Sequence, residues 1–276
     1  MPASVLAPPP RLPVVLARLR MPLMWAGTLA LVLGGWAGLP WWARILLFLP
    51  GLAVYLRVGR VAAEPRTVAP PVRGRWMALG SPADGVPSQG THAYGQTYAL
   101  LLVAEPPADE GRERPDIGWR PLTRPPEDFP GFGAPVYAPA DGRVVRVHDR
   151  SGDHRSRNSW PMLLGLIAET SLRELRGPAG LLGNHVVIEL DGTGYALLAH
   201  LKRGSAVVSP GMAVRAGDPV ARCGSSGALT EPLVHFQLMD HRWPLFAAGL
   251  PFRWDGAAVD GRLRDGVPES WRPFRV

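Results

Sequence analysis

Residues 183–205 read GNHVVIELDGTGYALLAHLKRGS, two apolar runs on either side of an Asp-Gly turn. The runs NHVVIEL (184–190) and GYALLAHL (194–201) have the length of β-strands, and Asp191-Gly192 is a dipeptide typical of tight hairpins. This stretch therefore predicts an antiparallel β-hairpin whose second strand ends near His200.

Other short strand-like runs, separated by turn dipeptides such as Asp141-Gly142, extend the same pattern on both sides of the hairpin. Residues 160–177, WPMLLGLIAETSLRELRG, differ because their apolar spacing is helical and Pro161 suits a first helical turn. The interval 105–134, rich in proline and charge, predicts a long loop. We therefore expect a mainly β fold, an open antiparallel sheet or sandwich with one helical insertion. The strand-like runs are 96–104, 135–147, 184–190, 194–201, 213–223 and 233–239.

The charge of the chain is concentrated at its N-terminus. Residues 1–75 carry nine arginines and one acid, Glu64, whereas the remaining 201 residues have a net charge of −1. A nearly neutral globular part has no electrostatic footprint for a phosphate backbone, so nucleic acid is not an expected partner. Cys223 is the only cysteine, which excludes an internal disulfide and a thiolate metal cluster.

Two apolar runs near the N-terminus predict a membrane hairpin. Residues 22–39 contain no charged side chain, and eighteen residues are close to the minimum that crosses a hydrocarbon core of about 30 Å. The second run, 40–56, is interrupted by Arg44 but begins with two tryptophans that suit a membrane interface. We expect a basic segment at 1–21, two membrane-embedded helices within 22–57, and a linker rich in proline and arginine at 58–75.

Four runs, taken in order, resemble parts of the lysostaphin-type (LytM-like) zinc metallopeptidases, which cut peptide cross-links in bacterial cell walls. They are GAPVYAPADGRVVRV (133–147), the hairpin at 183–205, PGMAVRAGDPVARCGSSG (210–227) and EPLVHFQLMD (231–240). The resemblance implies the family's open antiparallel β structure, with a groove across the sheet. It assigns the peptidase-like domain to 76–240, with the helical insertion at about 160–177, and leaves 241–276 as an extension packed on that domain.

The resemblance also implies a site of five side chains. In the family, zinc is bound by one histidine, one aspartate and the second histidine of a His-x-His pair, and a water fills the open position. Two further histidines, the first of the pair and one at the end of the central hairpin, orient the water and stabilise the transition state. Strand alternation directs both histidines of the pair into one groove.

Carried over to this chain, these roles fall partly on side chains that cannot perform them. His235 takes the place of the second histidine of the pair and Leu233 that of the first, whereas His200 retains the hairpin position. Leu101 stands where the relatives carry the ligand aspartate. His92 is the histidine available as the upstream ligand, and Gln89 is the alternative occupant of that position.

Zinc is the only cofactor that the resemblance implies. Because leucine offers neither a lone pair nor a charge, we expect no zinc to be bound. The leading hypothesis is a membrane-anchored, catalytically inactive domain that binds peptidoglycan peptide or regulates a partner wall hydrolase. Two alternatives stay open: a zinc endopeptidase that uses His92, His185, His200 and His235, and a structural protein of membrane assemblies. The expected location is the cell membrane. Arginines on both sides of the hairpin place the β domain in the cytoplasm by the positive-inside rule, whereas a wall-related role places it outside.

Overall fold

The computed structural model describes residues 11–60, 63–106, 113–190, 194–256, 259–261 and 263–276. The two strands predicted at 184–190 and 194–201 are present and pair antiparallel, whereas the predicted turn at Asp191-Gly192 lies outside the described residues. The helices are α1 Arg11–Leu33, α2 Trp41–Arg57, α3 Trp160–Glu174 and α4 Pro178–Leu182. The strands are β1 Arg66–Val68, β2 Arg75–Gly80, β3 Leu100–Ala104, β4 Pro135–Tyr137, β5 Gly142–His148, β6 Asn184–Leu190, β7 Gly194–Leu201, β8 Ala213–Val214, β9 Pro219–Arg222, β10 Val234–Met239, β11 Gly249–Leu250, β12 Phe252–Trp254, β13 Leu263–Arg264, β14 Val267–Pro268 and β15 Pro273–Arg275.

The main sheet has the strand order β15-β2-β3-β10-β7-β6-β5-β8, with β11 paired to β10 at the side. Every described pair in this sheet is antiparallel. The predicted fold class, mainly β and antiparallel with a helical insertion, is therefore confirmed, and α3 begins at the predicted Trp160.

The two faces of β10 pack against different groups of side chains. Val234, Phe236 and Leu238 join the larger core, as the alternation of a strand requires. Leu233 and Met239 belong to smaller apolar clusters on the opposite face. His235 shares that opposite face, so the candidate site lies away from the main core.

The N-terminal hairpin is packed on the β domain at its base. Ala17 and Met21 of α1 are buried, and Arg20 donates hydrogen bonds to the carbonyl oxygens of Val58 and Ala247 at 2.8 and 3.2 Å. The segment predicted as a basic extension at 1–21 is thus helical from Arg11 and joins the fold; residues 1–10 lie outside the described residues.

One helix among the described residues, Val14–Leu33, is long and apolar enough to cross a membrane by length and composition. Helix α2 has 17 residues and carries Pro50. The two helices approach closely at Gly51, where a Cβ atom would lie 2.6 Å from the carbonyl oxygen of Leu23. Trp36, Trp41 and Trp42 stand exposed around the turn of the hairpin.

The prediction of a linker at 58–75 is wrong for its second half. Residues 66–68 form β1, which runs parallel to β12, and Val68 and Val72 are buried in the larger core. The C-terminal region contributes to the same core through Trp254 and Phe274, whose ring centroids lie 5.4 Å apart. Both ends of the β domain are therefore integral parts of the fold.

Residues 107–112, within the predicted loop at 105–134, lie outside the described residues.

Candidate functional site

His200 and His235 lie side by side on neighbouring strands. Their ring centroids are 5.8 Å apart with the planes at 68°, and the two residues are 5% and 2% exposed. His235 on β10 is paired with Ala199 on β7, and alternation alone would direct the next residue, His200, to the other face. His200 instead has φ of 62°, next to a register shift between β6 and β7. This local irregularity turns its ring toward His235.

The hydrogen bonds of the two rings define their tautomers. Nδ1 of His200 lies 2.8 Å from the carbonyl oxygen of Ser226; because a carbonyl can only accept, Nδ1 carries the proton and Nε2 keeps a lone pair. Gln237 donates its amide to the carbonyl oxygen of Tyr94 at 2.8 Å, so its Oε1 accepts from Nε2 of His235, also at 2.8 Å. His235 therefore keeps its lone pair on Nδ1.

Both imidazoles are neutral at pH 7. Burial lowers the pKa of His200 to about 3, helped by the neighbouring His235. Burial also lowers the pKa of His235 to about 4, against the opposing effect of its bond to Gln237. The pair thus offers two unprotonated nitrogens and no charge.

Leu101 and Leu233 flank His235. Leu101 on β3 is the direct cross-strand partner of His235, and Leu233 lies two residues before it on the same face. The two leucines pack into one apolar cluster with Met77, Val103 and Leu229. The positions assigned to a ligand aspartate and a catalytic histidine are therefore filled by side chains that pack against each other.

The two residues considered for the upstream ligand position, His92 and Gln89, lie in different surroundings. Gln89 lines the cavity that contains His200 and His235, whereas His92 does not. The Nδ1 atom of His92 lies 3.0 Å from Oγ1 of Thr97, which in turn donates to the carbonyl oxygen of Gly59 at the base of the helical hairpin. The structure thus places His92 outside the site and favours the alternative, Gln89, whose amide donates to the carbonyl oxygen of Ala99 at 3.3 Å.

The four-histidine set considered as an alternative is not brought together. His185 stacks on His148 with ring centroids 5.5 Å apart and bonds to the carbonyl oxygen of Gly183, away from the cavity. Within the described part of the chain, no group of three or more His, Cys, Asp or Glu side chains is placed to hold a metal ion. The donors at this site, two neutral imidazoles and an amide, do not fit the three-ligand zinc site of a metallopeptidase.

The cavity itself has a volume of about 360 Å³, and the inserted helix α3 forms part of its wall. Leu166, Thr170 and Glu174, spaced four residues apart, present one helical face to it. Tyr94 donates from its hydroxyl to Oε1 of Glu174 at 3.0 Å and so ties the end of α3 to the floor of the site. The sequence predicts the helix but carries no signal that it lines the site.

An ion-pair cluster anchors the same helix. Glu169 of α3 bonds to the guanidinium groups of both Arg157 and Arg173, and the resulting attraction holds the pKa of the Glu169 carboxyl below its usual value against the effect of burial. Tyr55 of α2 lines the cavity as well. The sheet, the inserted helix and the N-terminal hairpin thus all contribute residues to the wall of the cavity.

Comparison with known protein families finds a similarity to one peptidase family over part of the chain. The profile of peptidase family M23 matches residues 167–246, a stretch that includes β6, β7 and β10 and hence His200, Leu233 and His235. The chain is similar to that family over this stretch, in line with the resemblance read from the sequence. A comparison with curated proteins finds no match.

Solved structures similar to the chain come from several bacteria. A zinc-containing peptidase from Vibrio cholerae shares 19% identity with a TM-score of 0.34, over 68% of this chain and 40% of that protein. The catalytic domain of lysostaphin from Staphylococcus simulans shares 22% identity with a TM-score of 0.28, over 43% and 68%. Helicobacter pylori Csd3 shares 15% identity with a TM-score of 0.33, over 66% and 32%. The chain thus spans less than half the length of the Vibrio and Helicobacter proteins.

Proposed function

We propose that this chain is a membrane-attached relative of the M23 peptidases that has lost zinc and peptide-bond hydrolysis. It acts in cell-wall maintenance by binding, either to peptidoglycan peptide or to a wall hydrolase that it regulates. The observation that carries the proposal is the pair Leu101 and Leu233 on either side of His235, in the place where the relatives have a ligand and a catalytic group.

Magnitudes support the loss of the metal. A structural zinc site with four good ligands is worth roughly 10–16 kcal/mol, or about 2.5–4 kcal/mol for each ligand. Replacing the carboxylate by Leu101 and the upstream histidine by Gln89 removes two of the three protein ligands, a loss of roughly 5–8 kcal/mol. The one remaining ligand, the neutral imidazole of His235, holds zinc too weakly to retain it at cellular concentrations, even with His200 beside it.

The loss of the first histidine of the pair weakens catalysis independently of the metal. Removing a general base or an electrostatic stabiliser costs about 10²–10⁴ in rate. Leu233 is 2% exposed and packs in an apolar cluster, and its side chain has no nitrogen to take the place of an imidazole. Restoring zinc alone is therefore expected to leave hydrolysis far below that of a complete site.

A neutral polar rim supports the peptide-binding form of the proposal. Gln89, Thr91, Gln96 and Thr230 line the mouth of the cavity together with the leucines. Amide and hydroxyl groups of this kind donate and accept hydrogen bonds as a peptide backbone requires, without needing a charged partner. The attachment to a membrane rests on the apolar helix at Val14–Leu33 and on the exposed tryptophans of the hairpin turn.

Binding and hydrolysis can be measured on the same material. The full chain, reconstituted in nanodiscs, is incubated with purified peptidoglycan, and both the retained protein and the released soluble fragments are quantified. We expect retention without release, or a change in the release caused by an added wall hydrolase. Release of fragments by the chain alone, abolished by a chelator, would refute the loss of activity; no retention and no effect on a hydrolase would refute the wall role.

A further inference from the structure

The cavity that contains His200 and His235 has the composition of a site for an apolar ligand. Seven leucines line it, contributed by the sheet, by the loop that carries Leu229 and by helices α3 and α4. Its volume of about 360 Å³ lies in the range of cavities that hold small organic molecules, which are lined mainly by apolar groups with a few polar ones.

The charges around the cavity select a neutral ligand. The described lining residues include no lysine or arginine and a single acid, Glu174, whose Oε1 accepts the hydroxyl proton of Tyr94. A charged ligand would lose its hydration, which is costly in an apolar site, and the one carboxyl group in the described lining, Glu174, is already bonded to Tyr94. An uncharged molecule enters without this penalty.

The polar end of the ligand is specified by the two imidazoles. The protons of His200 and His235 are engaged by Ser226 and Gln237, and the opposite ring nitrogens, Nε2 of His200 and Nδ1 of His235, keep free lone pairs. A hydroxyl group on the ligand can donate its one proton to either of these two uncharged acceptors. The leucines beside them call for a chain of apolar carbon.

The cavity also adjoins the part of the molecule that contacts lipid in the proposed function. Tyr55 of α2 lines the cavity and packs in one cluster with Met21 of α1 and Leu181 of α4. A ligand dissolved in the bilayer would reach the cavity along the base of the helical hairpin. We propose that this cavity binds a neutral single-chain amphiphile with a hydroxyl head group, taken from the membrane. The proposal goes beyond the wall role and stands whether or not the domain also binds wall material.

The experiment uses the full chain in nanodiscs and a dodecanol analogue that carries a photoreactive diazirine in its chain. After irradiation, the labelled residues are mapped by mass spectrometry. We expect labels on cavity residues such as Leu166 and Leu229. Labels confined to the exposed surface of α1 and α2 would overturn the proposal.

Competition by unlabelled amphiphiles tests which head group the cavity prefers. Unlabelled dodecanol is expected to suppress labelling of the cavity about ten-fold more effectively than dodecyl methyl ether, which has no proton to donate to His200 or His235. Dodecanoate and dodecyltrimethylammonium are expected to compete weakly because each carries a charge. Each CH₂ added to the competing alcohol, while the cavity accommodates it, should tighten binding about four-fold. Equal competition by all four compounds would contradict the proposed selectivity.

Variants distinguish labelling inside the cavity from labelling of the protein surface. Leu229→Trp fills the cavity and should reduce labelling at least ten-fold, whereas Leu164→Trp, at a position of α3 that is 78% exposed, should leave it unchanged. Because Leu229 is buried and its replacement can disturb folding, Thr170→Phe on the cavity face of α3 is a second filling variant. Unchanged labelling in folded Leu229→Trp or Thr170→Phe protein, judged by thermal unfolding, would overturn the assignment of the cavity.

Discussion

Replacing Gln89 by histidine and Leu101 by aspartate should convert this site into one that holds zinc. Leu101 is the direct cross-strand partner of His235, and Cβ atoms of such partners are about 4.5–5.5 Å apart, close enough for an aspartate and a histidine to share one ion. The side chain of Gln89 already reaches the same cavity. The double variant therefore supplies one carboxylate and two imidazoles, the ligand set of a catalytic zinc site.

The expected gain in zinc affinity follows from the number of added ligands. Two added ligands at about 2.5–4 kcal/mol each are worth roughly 5–8 kcal/mol, which is about 10⁴-fold or more in zinc affinity. Without zinc, the double variant should be less stable than the natural chain, because an aspartate replaces a leucine in an apolar cluster at a cost of several kcal/mol. Zinc at 100 times its dissociation constant should then return about 2.7 kcal/mol.

Competition with a fluorescent zinc chelator measures the affinity, and thermal unfolding with and without zinc measures the stabilisation. The matched control is the same double variant with His235→Leu, which removes the third ligand and should lose most of the gain. A double variant that binds zinc no better than the natural chain, although it is folded, would refute the assignment of Gln89 and Leu101 to the ligand positions.

Three further predictions concern the pH dependence of stability, the attachment of helix α3, and the side of the membrane on which the β domain lies. Burial lowers the pKa values of His185, His200 and His235 to about 4, 3 and 4, below the unfolded value of 6.5, so the unfolded state binds more protons and the free energy of unfolding falls on acidification below pH 6.5. By pH 5 each histidine should have lost about 2 kcal/mol of stability, and His235→Leu should remove about a third of the total loss. Equal urea midpoints at pH 7 and pH 5 would contradict this prediction. Tyr94→Phe breaks the bond to Glu174 and should speed hydrogen exchange of α3 while leaving that of β6 and β7 unchanged; uniform exchange across the chain would argue against a local attachment of α3. A phosphatase active only outside the cytoplasm, fused to the C-terminus, should be active if the domain serves the wall, and a cytoplasmic location would exclude that role.

The central hairpin could be predicted from sequence because its signals are local. Apolar runs of strand length and an Asp-Gly turn define β6 and β7, and both strands have the predicted bounds. Alternation also places Leu233 and His235 on one face, as the structure has them. The short strand β1 could not be predicted, since its stability comes from pairing with β12, more than 180 residues further along the chain.

The details of the site depend on irregular backbone, which no periodic pattern reveals. His200 faces His235 only because of its positive φ beside a register shift, whereas regular alternation would turn it away. Gln89 and His92 lie three residues apart in a loop whose course is fixed by contacts with the segment that leads into β3, such as the bond from the hydroxyl of Ser88 to the carbonyl oxygen of Ala99 at 2.7 Å. Sequence spacing could name both residues but could not choose between them.

The zinc content of the natural chain tests the central claim most directly. The full-length protein is purified without chelators, dialysed against buffer with trace zinc, and measured for metal by mass spectrometry together with its protein concentration. The account predicts far less than one zinc per chain, because Leu101 and Gln89 leave His235 without the two ligands it needs. One tightly held zinc per chain, retained through dialysis, would contradict the account.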